Sequence, residues 1–125
     1  MKKKLALCTP IPEKKLEIIK EYCDITICGE LKHGKGNVSE AQTKEECMGH
    51  ELIVLGDEYA GADTIKAWSE AGMKFMGVAK GTPSTVDYDA LEEVGIELSY
   101  TPGRNRVAVA EFNIGLMIAA TRKLA

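Results

Sequence analysis

An open five-stranded parallel α/β sheet, wound with helices on both faces, is the architecture this sequence predicts. Three observations carry the prediction. Strand-length apolar runs alternate with helix-length segments five times along 125 residues. Parallel neighbours need crossovers, and short alternating units supply them as right-handed βαβ turns. The run Leu52-Ile53-Val54-Leu55 is continuously apolar, as a strand covered on both faces requires.

The elements follow in order. Lys4-Leu5-Ala6-Leu7-Cys8 is a short apolar run closed by Pro10 and Pro12, and reads as the first strand. Pro12 suits a first helical position, and Leu16, Ile18, Ile19 and Tyr22 follow at near-helical spacing. Asp24-Ile25-Thr26-Ile27 alternates and is β-branched, a second strand. Gly29 to Gly36 reads as a loop. A helix then starts near Ser39 or Thr43, where Thr43-x-x-Glu46 has the form of a capping box.

Leu52–Leu55 is the third strand. Asp63 is placed to cap a helix that ends at Gly72. Phe75-Met76-Gly77-Val78 is the fourth strand, Asp87–Val94 a short helix stopped at Gly95, and Ile96–Ser99 the fifth strand. From about Asn105 to Leu124 the chain is helical. Five strands in about a hundred residues suit a flavodoxin-like doubly wound sheet of order 2-1-3-4-5. Ligands of such sheets bind outside the carboxyl ends of the strands, which directs attention to the loops there.

Composition excludes several functions. Sixteen Lys and Arg against nineteen Asp and Glu leave a net charge of −3, with no electrostatic footprint for nucleic acid or an anionic membrane. Lys2-Lys3-Lys4 is too short a basic cluster to change that. The apolar stretch after it, Leu5 to Cys8, is far shorter than a signal-peptide core. No window reaches the roughly 18 apolar residues of a membrane span, and the protein reads as cytoplasmic. Cys8, Cys23, Cys28 and Cys47 have no zinc-ligand spacing, so they are expected as reduced, mostly buried thiols and no metal site is expected.

Four familiar motifs are near misses. Gly29-x-x-x-x-Gly34-Lys35 resembles a phosphate-binding P-loop, but Gly36 stands where a Mg²⁺-holding Ser or Thr belongs. Gly34-x-Gly36-x-x-Ser39 lacks the third glycine of a dinucleotide turn. Asp57 ends the third strand as a phospho-acceptor would, yet Cys8 and Thr9 replace the acidic pair that such a site needs. Pro10 and Pro12 strip N–H donors from the loop where FMN phosphate would sit.

Two loops remain. In Lys80-Gly81-Thr82-Pro83, glycine lets backbone N–H groups approach an anion and Lys80 adds a charge; a plain turn with an exposed lysine explains it as well. Thr101-Pro102-Gly103-Arg104-Asn105 leads into the last helix, whose free N–H groups favour a nearby carboxylate or phosphate; simple capping by Asn105 is the alternative. That helix carries apolar residues around nearly its whole circumference, from Val107 to Ala120. One sheet face cannot bury it, so a second domain or a second subunit is expected to cover it.

From Phe75 onward the chain resembles the D-isomer-specific 2-hydroxyacid dehydrogenases, the family of phosphoglycerate dehydrogenase. The resemblance rests on Phe75–Pro83, Val86–Ala90, Gly95–Leu98, Thr101–Asn105, Val109–Phe112 and Gly115–Arg122, in that order. It implies a substrate-binding domain over 1–104 and a helix over 105–125 crossing toward an NAD-binding domain. The dinucleotide loop and the catalytic Arg, Glu and His are expected beyond this chain, which by itself would be inactive and contributes no catalytic residue. The resemblance further implies that backbone N–H groups of Gly81 and Thr82 bind the carboxylate of a small 2-hydroxy or 2-oxo acid, beside Lys80. It puts Asn105 at the hinge near substrate and Val109 near the nicotinamide of NAD or NADP.

Lys80 stands where relatives tend to carry Arg, and Arg106 places a bulky cation just after Asn105. The competing reading is a stand-alone binding module that self-associates through its last helix as a homodimer.

Overall fold

The computed structural model describes residues 1–124. It contains β1 (Lys3–Leu7), α1 (Glu13–Tyr22), β2 (Cys23–Ile27), α2 (Gly29–His33), α3 (Glu40–Cys47), β3 (Leu52–Leu55), α4 (Ala62–Glu70), β4 (Phe75–Val78), α5 (Tyr88–Val94), β5 (Glu97–Tyr100) and α6 (Arg106–Arg122). The strands form one sheet in the order β2-β1-β3-β4-β5, and every neighbouring pair is parallel. The expected winding and strand order are therefore the observed ones.

Period-two alternation sorts the strand side chains onto two faces. On one face Ala6, Ile53, Leu55, Met76 and Val78 join Ile65 and Trp68 of α4 and Ala90 and Leu91 of α5 in a single buried cluster. The other face is thinly covered. Leu52, Val54 and Phe75 are only half-buried there, and α1 contributes no buried residue. Burial in succession is found in β1, at Leu5, Ala6 and Leu7, and in β4, at Met76, Gly77 and Val78. The expectation placed on Leu52–Leu55 is corrected accordingly: an apolar run shows that both faces tolerate burial, not that a helix lies over each.

Capping is read correctly in one helix and corrected in three places. Asp87 caps α5, its Oδ1 accepting from the Ala90 N–H at 3.0 Å, and Gly95 ends that helix in the left-handed region at φ 70°. The N-cap of α3 is Ser39, whose Oγ accepts from Gln42 N–H. Thr43 lies inside α3 instead, donating to the Ser39 carbonyl at 3.2 Å. Asp63 lies within the first turn of α4 and makes no cap; the cap position is Gly61, whose N–H donates to Glu40 at 2.8 Å. Asn105 precedes α6 without any side-chain capping bond.

The segment expected as a loop from Gly29 contains the short helix α2. Two distant carboxylates hold its first N–H groups: Glu46 accepts from Gly29 at 2.9 Å and Glu58 from Glu30 at 2.8 Å. Negative charge at a helix N-terminus stabilises it, and both acids reach it only through the tertiary fold. Gly29 itself has φ 56°, and a Cβ there would lie 2.6 Å from Glu58 Oε1, so only glycine fits.

Burial works against ionisation of Glu46, but hydrogen bonds from His33, the Gly29 N–H and Lys32 outweigh it and bring its carboxyl to about 2 from an ordinary 4.5. A depressed carboxyl stabilises the fold above its unfolded value and loses that contribution as pH falls through its folded value. The urea midpoint is expected to fall between pH 4.5 and pH 2, and Glu46→Gln is expected to flatten that part of the profile. A midpoint just as acid-sensitive in the variant would contradict the assignment.

No residue of α6 is buried. Phe112 is 67% and Met117 68% exposed, with Val107, Ile114, Leu116 and Ile118 all above half. The chain itself leaves this helix uncovered. Among the described residues no helix is long and apolar enough to cross a membrane.

Candidate functional site

The carboxyl ends of β1, β3 and β4 enclose a cleft of about 440 Å³ whose lining includes Thr9, Lys35, Gly56, Asp57, Ala79 and Arg104. Asp57 organises it. Its Oδ2 accepts from Lys35 Nζ at 2.9 Å and its Oδ1 from Lys80 Nζ at 3.0 Å. Hydrogen bonds from Lys35 and Lys80 hold the Asp57 carboxyl below the usual carboxylate range, and Asp57 in turn pushes the Lys35 ammonium up. Lys80 is thus not the freely exposed lysine of a plain turn: its side chain is 24% exposed and anchored.

Glu58 lies beneath this bridge and is 4% exposed. Its two oxygens accept from the Glu30 N–H at 2.8 Å and the Gly56 N–H at 2.6 Å. It ties the end of β3 to the start of α2, and so fixes one wall of the cleft.

The Lys80–Thr82 loop is pinned to the loop that follows β5. The Lys80 carbonyl accepts from the Thr101 N–H at 2.9 Å and from the Thr101 hydroxyl at 3.2 Å. A Cβ on Gly81 would meet only ordinary contacts, the Thr101 carbonyl oxygen at 3.6 Å and the Gly103 nitrogen at 3.8 Å. The N–H groups of Gly81 and Thr82 donate to no acceptor among the described residues. Two uncommitted donors beside a tethered ammonium can hold a carboxylate. Asn105 and Val109 lie on the exposed entry to α6, with Val109 47% exposed.

The near-miss motifs are committed elsewhere. Gly34 N–H donates to the Glu30 carbonyl and Gly36 N–H to the Glu30 carboxylate, both at 2.8 Å. Lys35 faces Asp57. That loop has no phosphate cradle, and Asp57 is paired with both Lys35 and Lys80. Among the described residues no group of three or more His, Cys, Asp or Glu is placed to hold a metal. The cysteines are free thiols, with Cys8, Cys28 and Cys47 buried and the Cys8 and Cys47 sulfurs 3.7 Å apart. Hydrogen bonding to Cys47, followed by burial, pushes the Cys28 thiol up, away from the thiolate that reactivity needs.

Sequence reasoning had Lys80, Gly81 and Thr82 together and missed their link to Lys35 through Asp57. It also passed over Glu58. The available signal was the acidic pair Asp57-Glu58 at a strand end, facing a loop that carries Lys35.

Known proteins share this architecture. No protein-family model matches the chain. It is 27% identical over 73 residues to an aromatic 2-oxoacid reductase of Clostridium sporogenes, a segment covering 58% of this chain and 22% of that protein. It is 50% identical over 50 residues to the putative 2-hydroxyacid dehydrogenase YoaD of Bacillus subtilis, covering 40% of this chain and 14% of that one. Among solved structures, NAD⁺-bound 3-phosphoglycerate dehydrogenase from Entamoeba histolytica superposes with a TM-score of 0.77 at 22% identity, over 98% of this chain and 40% of that chain.

The homologues and structural neighbours of this chain are D-isomer-specific 2-hydroxyacid dehydrogenases. The matched segments span about a fifth or less of the length of these curated relatives.

Proposed function

We propose that this chain forms the substrate-binding wall of an NAD- or NADP-dependent D-2-hydroxyacid dehydrogenase, over 1–104, with 105–125 crossing toward a dinucleotide-binding domain. The observation that carries the reading is the pair of uncommitted N–H groups at Gly81 and Thr82, beside Lys80. Neutral N–H donors and the anchored Lys80 orient the carboxylate of a small 2-hydroxy or 2-oxo acid. Orientation of this kind is a large part of what such a reaction needs, because the reacting carbon must face the nicotinamide within near-attack distance.

The residues present fit one edge of a nicotinamide ring and not a pyrophosphate. Val109 offers a half-exposed apolar side chain one turn into α6, whereas the N–H groups of Gly34 and Gly36 are already bonded. The dinucleotide supplies the hydride; this chain's residues bind the acid, and its α6 meets the second domain. Asn105, uncapped and exposed, sits at the hinge. The setting of this reading is the cytoplasm.

Titration of the 15N-labelled chain with pyruvate tests the reading. The Gly81 and Thr82 amide resonances are expected to shift saturably. Shifts confined to other loops, or none, would overturn it.

The exposure of α6 supports a second reading, a module that pairs with its own copy through this helix. Sedimentation separates the two: a monomer at high micromolar concentration removes the pairing, and a dimer dispersed by Phe112→Asp upholds it.

A further inference from the structure

Lys80 is held at its side chain and at its backbone, and the two donor groups come directly after it. Its ammonium donates to Asp57 Oδ1 at 3.0 Å. Its carbonyl accepts from the Thr101 N–H at 2.9 Å and from the Thr101 hydroxyl at 3.2 Å. Beyond the donors the chain is fastened again. The Thr82 carbonyl accepts from the Ser84 N–H at 2.9 Å, and the Thr85 carbonyl from the Ala60 N–H at 2.9 Å. Pro83, between these bonds, is fully buried.

Gly81 therefore stands between two fixed points. Glycine has the widest backbone freedom of any residue, so the direction of its N–H, and of the Thr82 N–H after it, depends on what restrains the flanks. A ligand that must first order its donors binds more weakly than one that meets them already placed. Downstream the restraint is backbone hydrogen bonding and the core. Upstream it includes the ion pair from Lys80 to Asp57.

The two lysines on Asp57 are not equivalent. The Lys35 side chain is 82% exposed and that of Lys80 24%. A pair in open solvent is screened and contributes little order, whereas a partly buried one is screened less. Lys80 is thus the partner through which Asp57 has most effect.

We propose that Asp57 is a positioning residue for acid binding: by fixing the Lys80 side chain it holds the loop in which the Gly81 and Thr82 N–H groups face the carboxylate. This rests on the reading of Gly81 and Thr82 as the carboxylate donors. It also runs opposite in sign to simple electrostatics. Asp57 places negative charge near an anion site, so deleting that charge would tighten binding if charge alone mattered. Positioning requires the reverse.

The test titrates the 15N-labelled 125-residue chain with pyruvate and follows the Gly81 and Thr82 amides. Asp57→Asn is expected to weaken binding about five-fold or more, and Asp57→Glu to stay within about two-fold of the unsubstituted chain. Without ligand, the heteronuclear NOE of Gly81 and Thr82 is expected to fall in Asp57→Asn, which reports motion on the ps–ns scale. Unchanged values in β3 and α5 show that the variant is folded. Lys80→Met is expected to weaken binding in the same way, and adding Asp57→Asn to it to cost less than about two-fold more, because the two side chains act as one unit. Binding in Asp57→Asn as tight as before or tighter, weaker binding with an unchanged NOE, or an additive loss in the double variant each overturns the positioning role and leaves the donor reading standing. No shift at Gly81 and Thr82 in the unsubstituted chain overturns both.

Discussion

Replacing Trp68 with alanine is expected to destabilise the domain by about 3–5 kcal/mol, the range for truncating a large aromatic in a packed core. Trp68 is 1% exposed and stands in the cluster that joins α4 to the sheet. Its indole N–H donates to the Lys44 carbonyl at 2.9 Å, so the substitution both empties a cavity and frees an acceptor in α3. With a marginal total stability of about 5–15 kcal/mol, the variant is expected to be partly unfolded at 37 °C. Denaturant unfolding followed by circular dichroism measures this, since the sole tryptophan is lost as a fluorescent reporter. A loss below about 1 kcal/mol would mean that α4 is not held as described.

The second large effect is at Glu58. Glu58→Ala leaves the Glu30 and Gly56 N–H groups without their acceptor, and a buried unsatisfied donor costs about 1–3 kcal/mol. A total loss of about 2–6 kcal/mol is expected when both are counted, less whatever water entering from the cleft restores. Because α2 leads into the Lys35 loop, the variant is also expected to loosen the Lys35–Asp57 contact. Amide hydrogen exchange across 29–36 separates this from a general loss of stability: exchange there should rise more than in β4. Uniform acceleration along the chain would show that Glu58 stabilises without positioning the cleft.

How much of this was legible in the sequence depends on the range of the interaction. Local signals located β4 at Phe75–Val78 and the Asp87 and Gly95 ends of α5, because capping and breaking act within a turn. The strand order followed from alternation, handedness and the five-strand count that suits a flavodoxin-like sheet. α2 escaped because its N-terminal partners, Glu46 and Glu58, are 17 and 28 residues away along the chain. The Thr43 capping box was plausible in form, but Ser39, four residues earlier, offers the same chemistry and starts the helix. At the cleft, the residues of the Lys80–Thr82 loop were found by resemblance, while the Lys35–Asp57–Lys80 bridge joins three different loops. Spacing within a motif cannot encode such a contact; only the sheet brings the three together.

The last helix shows the opposite case. Its all-round apolar character was plain, and the expectation that nothing within the domain would bury it agrees with α6 having no buried residue. A local composition can show that a helix stays unburied by its own domain without showing what covers it.

The most direct test of the central claim is steady-state kinetics on the full product of the gene, with NADH or NADPH and a series of 2-oxo acids. The account expects reduced-cofactor oxidation that depends on the 2-oxo acid, and at least a ten-fold rise in KM for Thr82→Pro, which deletes one N–H donor to the carboxylate. An absence of 2-oxo-acid-dependent turnover, or a KM unmoved by Thr82→Pro, would contradict it.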